Sequence, residues 1–296
     1  MKPIHLCAFA LLAAGLCPGA AQAQVSRVFV SVNGNDANDC LQPAAACRTL
    51  NAGIGKVDAQ GEVIVIDTGS YAGATITKSV KINAPAGIVA FSATSILVNA
   101  PGATVVIRGL TIKALTQGSG VGINIQAAAT VLVENCVIDG WGDGIRVQAS
   151  AGALKLDIKD STMRNNLFDG LSVFAGVIGA AITVDQSRFE RNLNVALQVE
   201  GPSKVSVTRS FFSGNNNAIG TGIAGAVVDV SRSTISGSTN NGVQAGAGTI
   251  RVAESLVTGN SVGLLQQGGT LESFKDNIVR GNTTDTVGTI TMATRQ

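Results

Sequence analysis

The sequence predicts an all-β fold, a right-handed parallel β-helix of three sheets. Three observations carry that expectation: a phrase repeated about every two dozen residues, apolar alternation within each phrase, and a composition of turn and strand formers. Glycine is 36 of 296 residues. Val, Ile and Thr abound, while helix-favouring runs of Leu, Glu and Lys are scarce. Aligning the last apolar residue of each phrase gives Ile112, Ile138, Met163, Phe189, Phe212, Ile235, Val257 and Val279, at spacings of 26, 25, 26, 23, 23, 22 and 22 residues. Within a phrase the pattern is Val228-x-Val230 or Ile250-x-Val252, a strand period rather than a helical one. Each repeat has room for three short strands and their turns. Winding one coil per repeat stacks each strand on its equivalent at about 4.8 Å. Inward positions must then match from coil to coil, since a one-residue slip turns every side chain to the wrong face. Roughly nine to ten coils fit the chain, and right-handedness is the expected hand of such parallel connections.

Taken in order, residues 1–23 read as a secretory signal peptide. Lys2 precedes an apolar run from Ile4 to Leu16, then Pro18 and the small-residue triplet Ala21-Gln22-Ala23. Cleavage near Ala23 would deliver a secreted or periplasmic protein. The apolar run is too short to span a bilayer, and Leu16 before Cys17 is not the small residue that lipidation requires. Without the leader, the 21 Lys and Arg less Lys2 face 19 Asp and Glu. So even a balance gives no electrostatic reason to expect nucleic acid or an anionic membrane as partner. The single histidine, His5, falls in the leader, which excludes mechanisms needing an imidazole. Cys40, Cys47 and Cys136 remain. Export makes Cys40–Cys47 a candidate local disulfide and leaves Cys136 unpaired.

Residues 24–61 form an entry segment of strand, disulfide loop and helix. Leu50, Ile54 and Val57 share one face of that helix. Residues 62–296 are assigned to the β-helix. Two residues before the repeat anchors stand Leu110, Cys136, Ser161, Ser187, Ser210, Ser233, Ser255 and Asn277, a column of small residues beside a turn. In that slot Cys136 reads as a buried structural thiol. Three residues after the anchors stand Leu115, Trp141, Asn166, Asn192, Asn215, Ser238, Asn260 and Asn282, an expected asparagine ladder.

These coils, with phrasing such as "GIRV…LDIKDSTMRNN", resemble the pectin lyase-like superfamily of right-handed parallel β-helix proteins. So does the entry segment, "RVFVSVNGNDANDC", "CRTLNAGIGKV" and "GEVIVIDTGSYAGATI" with its Gly69-Ser70-Tyr71. The resemblance implies that the short helix plugs the open end of the solenoid, where an uncovered coil would expose its core and strand edges. It implies no single activity, because the scaffold carries polysaccharide lyases, polygalacturonases, adhesins and noncatalytic proteins.

The family's polygalacturonase motifs require a histidine and an Arg-x-Lys, and neither is present in residues 24–296. Its pectate lyases use aspartates that hold calcium and a basic residue that takes a proton. The corresponding strand here is "GI-x-V". Its outward column reads Asn124, Arg146, Ser172, Gln198, Gly220, Gln244 and Leu265. Asp143 and Asp169 share another column, one coil apart, and are the candidate metal ligands for Ca²⁺; no cofactor is otherwise required. Arg146 is the candidate catalytic base, Arg146 and Arg164 candidate clamps for an anionic sugar, and Trp141 a candidate stacking platform. The structural reading of both aspartates is ordinary Asp-Gly turn chemistry, with Asn217, Asn241, Val195 and Val262 in the same column. Three functions stay open. The first is a noncatalytic polysaccharide-binding protein using Asn124, Trp141, Arg146, Arg164, Ser172, Gln198 and Gln244. The second is a calcium-dependent polysaccharide lyase, and the third a surface scaffold or adhesin.

Overall fold

A computed structural model describes residues 24–148 and 153–294; the expected leader, 1–23, lies outside the described residues. The chain winds into three parallel sheets. The first has 12 strands, from Arg27–Val30 to Ile290–Ala293. The second has 10, from Gly69–Tyr71 to Ile278–Val279, and the third has 10, from Ala74–Ile76 to Thr284–Val287. One coil illustrates the pattern: Thr130–Glu134 in the first sheet, Val137–Asp139 in the second and Trp141–Val147 in the third. Strands of the first sheet alternate cleanly. In Lys155–Lys159 the inward residues Leu156 and Ile158 are buried and the three between and beside them are exposed.

The expected inward column is in register. Ile138 lies between Ile112 and Met163, and Phe189, Phe212, Ile235 and Val257 follow in line. All seven are fully buried. Phe189 and Phe212 stack with ring centroids 4.7 Å apart, as the coil spacing dictates when one ring sits over another.

Both corner columns are hydrogen-bond ladders. At the first corner, Asn135, Asp160, Gln186, Arg209, Arg232 and Glu254 all have φ between 47° and 51°, a left-handed turn that costs a non-glycine residue roughly 1–2 kcal/mol. After five of the six turns a serine follows and offsets that cost. Its hydroxyl donates to the carbonyl two residues back (Ser161 Oγ to Lys159 O, 2.8 Å; Ser233 Oγ to Ser231 O, 2.8 Å). It also accepts the N–H of the coil before (Ser161 N to Ser187 Oγ, 3.2 Å; Ser210 N to Ser233 Oγ, 3.1 Å). The sequence reading had only size and packing for this column. Cys136 sits in it, fully buried, and burial pushes its thiol up to about 12, so it is an inert core residue.

At the second corner Asn166, Asn192 and Asn215 bond amide to amide at 2.8 and 2.9 Å, and Asn260 to Asn282 at 2.9 Å. Ser238 interrupts this ladder, and its buried Oγ has no partner. Ser238→Asn is therefore expected to stabilise the protein by about 1 kcal/mol, the net worth of one satisfied bond. Thermal or urea unfolding measures it, and an unchanged midpoint would refute the ladder argument at this coil.

The entry segment carries a disulfide and a short helix. Cys40 and Cys47 are bonded, Cα–Cα 5.1 Å. Asp36 anchors the segment: it accepts from Arg48 N, Thr49 N and Thr49 Oγ1 at 2.8–2.9 Å. Thr49 then caps the helix Leu50–Lys56 by accepting from Ala52 N. Leu50, Ile54 and Val57 are buried, and the helix lies against Arg27–Val30, Glu62–Val65 and Ala74–Ile76, the first strands of two sheets. The Tyr71 hydroxyl donates to Asp67, whose carboxylate also accepts from Ser31 Oγ at 2.6 Å and Val32 N at 3.0 Å. Among the described residues no helix is long and apolar enough to cross a membrane.

Candidate functional site

The third sheet carries the candidate site, and its register orders the residues as expected. Asn124 pairs with Arg146, Arg146 with Ser172, Ser172 with Gln198, Gln198 with Gly220, Gly220 with Gln244 and Gln244 with Leu265. This column runs along the solenoid axis. Ser172 is largely covered, while Asn124, Arg146, Gln198 and Gln244 are half-buried.

Asp143 and Asp169 come together one coil apart, and both are buried. The Asp169 backbone N–H donates to Asp143 Oδ1 at 3.1 Å, and the Val195 N–H donates to Asp169 Oδ1 at 3.1 Å. Two coils on, Asn241 N donates to Asn217 Oδ1 at 3.3 Å. The column thus has one mechanical task, a side-chain oxygen that accepts a backbone N–H of the next coil, and the carboxylates perform it as the amides do. Asn194 Nδ2 adds a second bond to Asp169 Oδ1 at 2.9 Å. Burial raises the Asp169 carboxyl to about 6, and the neighbouring Asp143 charge adds to the rise against the hydrogen bonds that favour ionisation.

Arg146 is bound to Asp143. Its Nε donates to Asp143 Oδ2 at 2.6 Å, and its guanidinium lies 5.1 Å from the centre of the Phe174 ring. The two carboxylates would supply only part of the roughly six to eight oxygen ligands that a calcium ion takes. The oxygens of Asp143 already serve Arg146 and a backbone N–H. Among the described residues no group of three or more His, Cys, Asp or Glu could hold a metal.

Two expected site residues stand elsewhere. Trp141 is 5% exposed and its Nε1 donates to Ile112 O at 3.0 Å. Its ring fits beside Gly120 and Gly122 of the preceding coil, where a Cβ would come within 3.7 and 3.0 Å of it. A ring so covered has no face for a sugar, which corrects the stacking role given it above. Arg164 lies on the second sheet. It bonds Asp139 Oδ2 through Nε and Nη2 at 3.2 and 3.1 Å, while Asn165 Nδ2 takes Asp139 Oδ1 at 2.9 Å. This is an ion pair on another face, not a clamp beside Asp143.

The structure brings in residues that the sequence reading missed. A cleft of about 400 Å³ opens on the third sheet, where Asn194, Glu200 and Gln267 join the expected Asp169, Gln198 and Gln244. Phe168, next to Asp169, is 51% exposed. Its N–H donates to Gly142 O, and its own carbonyl accepts from Asn194 N. It is a large apolar residue at a turn slot that neighbouring coils fill with Gly142 and Asn194. That contrast was available in the sequence.

Repeating coils, three parallel sheets and two corner ladders define a class. The family described as "Right handed beta helix region" matches residues 57–212 and 119–284, and the chain belongs to it. Among solved structures it is similar to that of pectate lyase Pel9A, with a TM-score of 0.64 and 15% identity over 90% of this chain and 79% of the other. At that identity the likeness is one of fold. No curated protein matches the chain.

Proposed function

We propose that this chain is an exported, noncatalytic β-helix that binds extracellular or envelope polysaccharide along the outer face of its third sheet. The observation that carries this reading is the chemistry of that face. Its cleft is lined mainly by amide side chains and glycines, with the carboxylates Asp169 and Glu200 beside them, while Arg146 and Asp143 are committed to each other. Amides donate and accept together, which suits hydroxyl-rich ligands. Export rests on the leader pattern of residues 1–23.

A calcium-dependent lyase is the second reading, favoured by the adjacency of Asp143, Asp169 and Arg146 and by the likeness of fold. One experiment separates them. The protein is incubated with a polysaccharide panel, with and without Ca²⁺, while binding and the ultraviolet absorbance of unsaturated product are followed. Binding without product, indifferent to Ca²⁺, is the expected outcome. Product that depends on Ca²⁺ and is lost in Arg146→Ala would establish the lyase. Silence in both channels would leave a surface scaffold or adhesin.

A further inference from the structure

We propose that the third-sheet cleft takes an uncharged glycan chain, its hydroxyls bonded by the Asn194, Gln198, Gln244 and Gln267 amides and a ring face laid on Phe168. This rests on the polysaccharide-binding reading above and narrows it to a chemical class. Charge decides the class. The cleft walls carry two carboxylates, Asp169 and Glu200, and no Lys or Arg lines it among the described residues. The cation in the outward column, Arg146, is held by Asp143 at 2.6 Å and lies over Phe174. A polyuronate would therefore bring like charge against like, with no free guanidinium to neutralise it.

Shape supports the same occupant. The cleft exists because the column falls to glycine: a Cβ at Gly220 would lie 2.5 Å from Gln198 Oε1, and one at Gly222 would lie 3.2 Å from Gln198 Nε2. The amides are already ordered. Gln244 Nε2 donates to Gln267 Oε1 at 2.7 Å, and Gln244 Oε1 accepts from Asn241 Nδ2 at 3.1 Å. Ordering before binding lowers the entropy cost of holding a ligand. The half-exposed Phe168 ring rests against Gly142, within 3.5 Å of where a Cβ there would stand. Phe168 stands in the turn slot one coil before Asn194, whose N–H bonds its carbonyl, so a chain lying along the solenoid axis would meet this slot before the amides, an apolar surface and then polar edges as a neutral sugar presents them.

The test is calorimetric titration with two sets of probes. The neutral set is cello-, xylo-, manno- and chito-oligosaccharides; the charged set is oligogalacturonate and oligoalginate. Neutral probes are expected to bind. Phe168→Ala and Gly220→Val are each expected to weaken binding about tenfold or more, the loss of about 1.4 kcal/mol. Gln198→Ala serves as a second cleft variant should Gly220→Val fail to fold. Asp169→Asn combined with Glu200→Gln is expected to admit the charged probes. Preference of the native protein for the charged probes overturns the uncharged class and leaves polysaccharide binding standing. Neutral binding indifferent to Phe168→Ala and to the cleft variants overturns the location. Absence of all binding overturns this inference and the reading beneath it together.

Discussion

Asp169→Asn is expected to stabilise the protein at pH 7 by about 2 kcal/mol and to flatten its stability between about pH 4 and 6. The native carboxyl is raised from 3.8 to about 6, first by burial and then by the Asp143 charge. A raised acid binds its proton more tightly in the native state than in the unfolded chain. Its favourable contribution is therefore complete below about 3.8 and is lost as pH rises through about 6. A two-unit shift corresponds to about 3 kcal/mol at most. Asparagine keeps an Oδ1 for the Val195 N–H and for Asn194, as Asn217 does for Asn241 two coils away. It removes a charge that must otherwise be held at 7% exposure. Urea unfolding of both proteins at pH 5 and pH 7.5 measures the effect. The native protein should lose stability on going to the higher pH relative to the variant. A variant less stable than the native protein at pH 7.5 would mean that the ionised carboxylate is a net asset, and the burial argument would fail. The chain uses asparagine for the same mechanical task two coils away, so a destabilising aspartate at the cleft is the kind of exception that functional sites make.

The winding was legible in the sequence because a solenoid writes its geometry in one dimension. Each inward position must repeat, so the spacing alone places Phe189, Phe212 and Ile235 in one column, and they pair in that order. The outward column from Asn124 to Leu265 was legible for the same reason. What the repeat could not convey was the use made of each slot. Serine beside a turn looked like a small residue and is a ladder that joins coils through Oγ. Trp141 shares its column with asparagines, and periodicity alone cannot say whether a ring there turns inward. The glycines of the preceding coil, Gly120 and Gly122, make the space that buries it. Arg164 stood close to Asp169 along the chain, but a corner lies between them and puts its guanidinium on another sheet. The cleft was the least legible part. It arises from side chains missing at Gly220 and Gly222, and an absence in one coil becomes a cavity only through what its neighbours project over it.

Asn192→Ala is expected to destabilise the protein by about 4 kcal/mol, although the residue touches no ligand surface. Its amide is fully buried. It donates to Asn215 Oδ1 at 2.9 Å and to Met163 O at 3.2 Å, and accepts from Asn166 Nδ2 at 2.8 Å and Asn166 N at 3.3 Å. Alanine leaves Asn166 N, Asn166 Nδ2 and Met163 O without these partners and removes one of two donors from Asn215 Oδ1, and each orphaned buried group costs about 1–3 kcal/mol. Asn240→Ala, an exposed position at the same corner, is expected to change stability by no more than about 0.5 kcal/mol. The two together separate the ladder from asparagine's general liking for turns. In a solenoid each coil is held by its neighbours, so the damage should be local. Hydrogen exchange should rise first at residues 163–168 and 189–217 and less toward either end. Asn192→Ala and Asn215→Ala share a bond, so the double variant is expected to cost less than the two losses added. Full additivity would mean that the amides act one by one and that no ladder joins these coils.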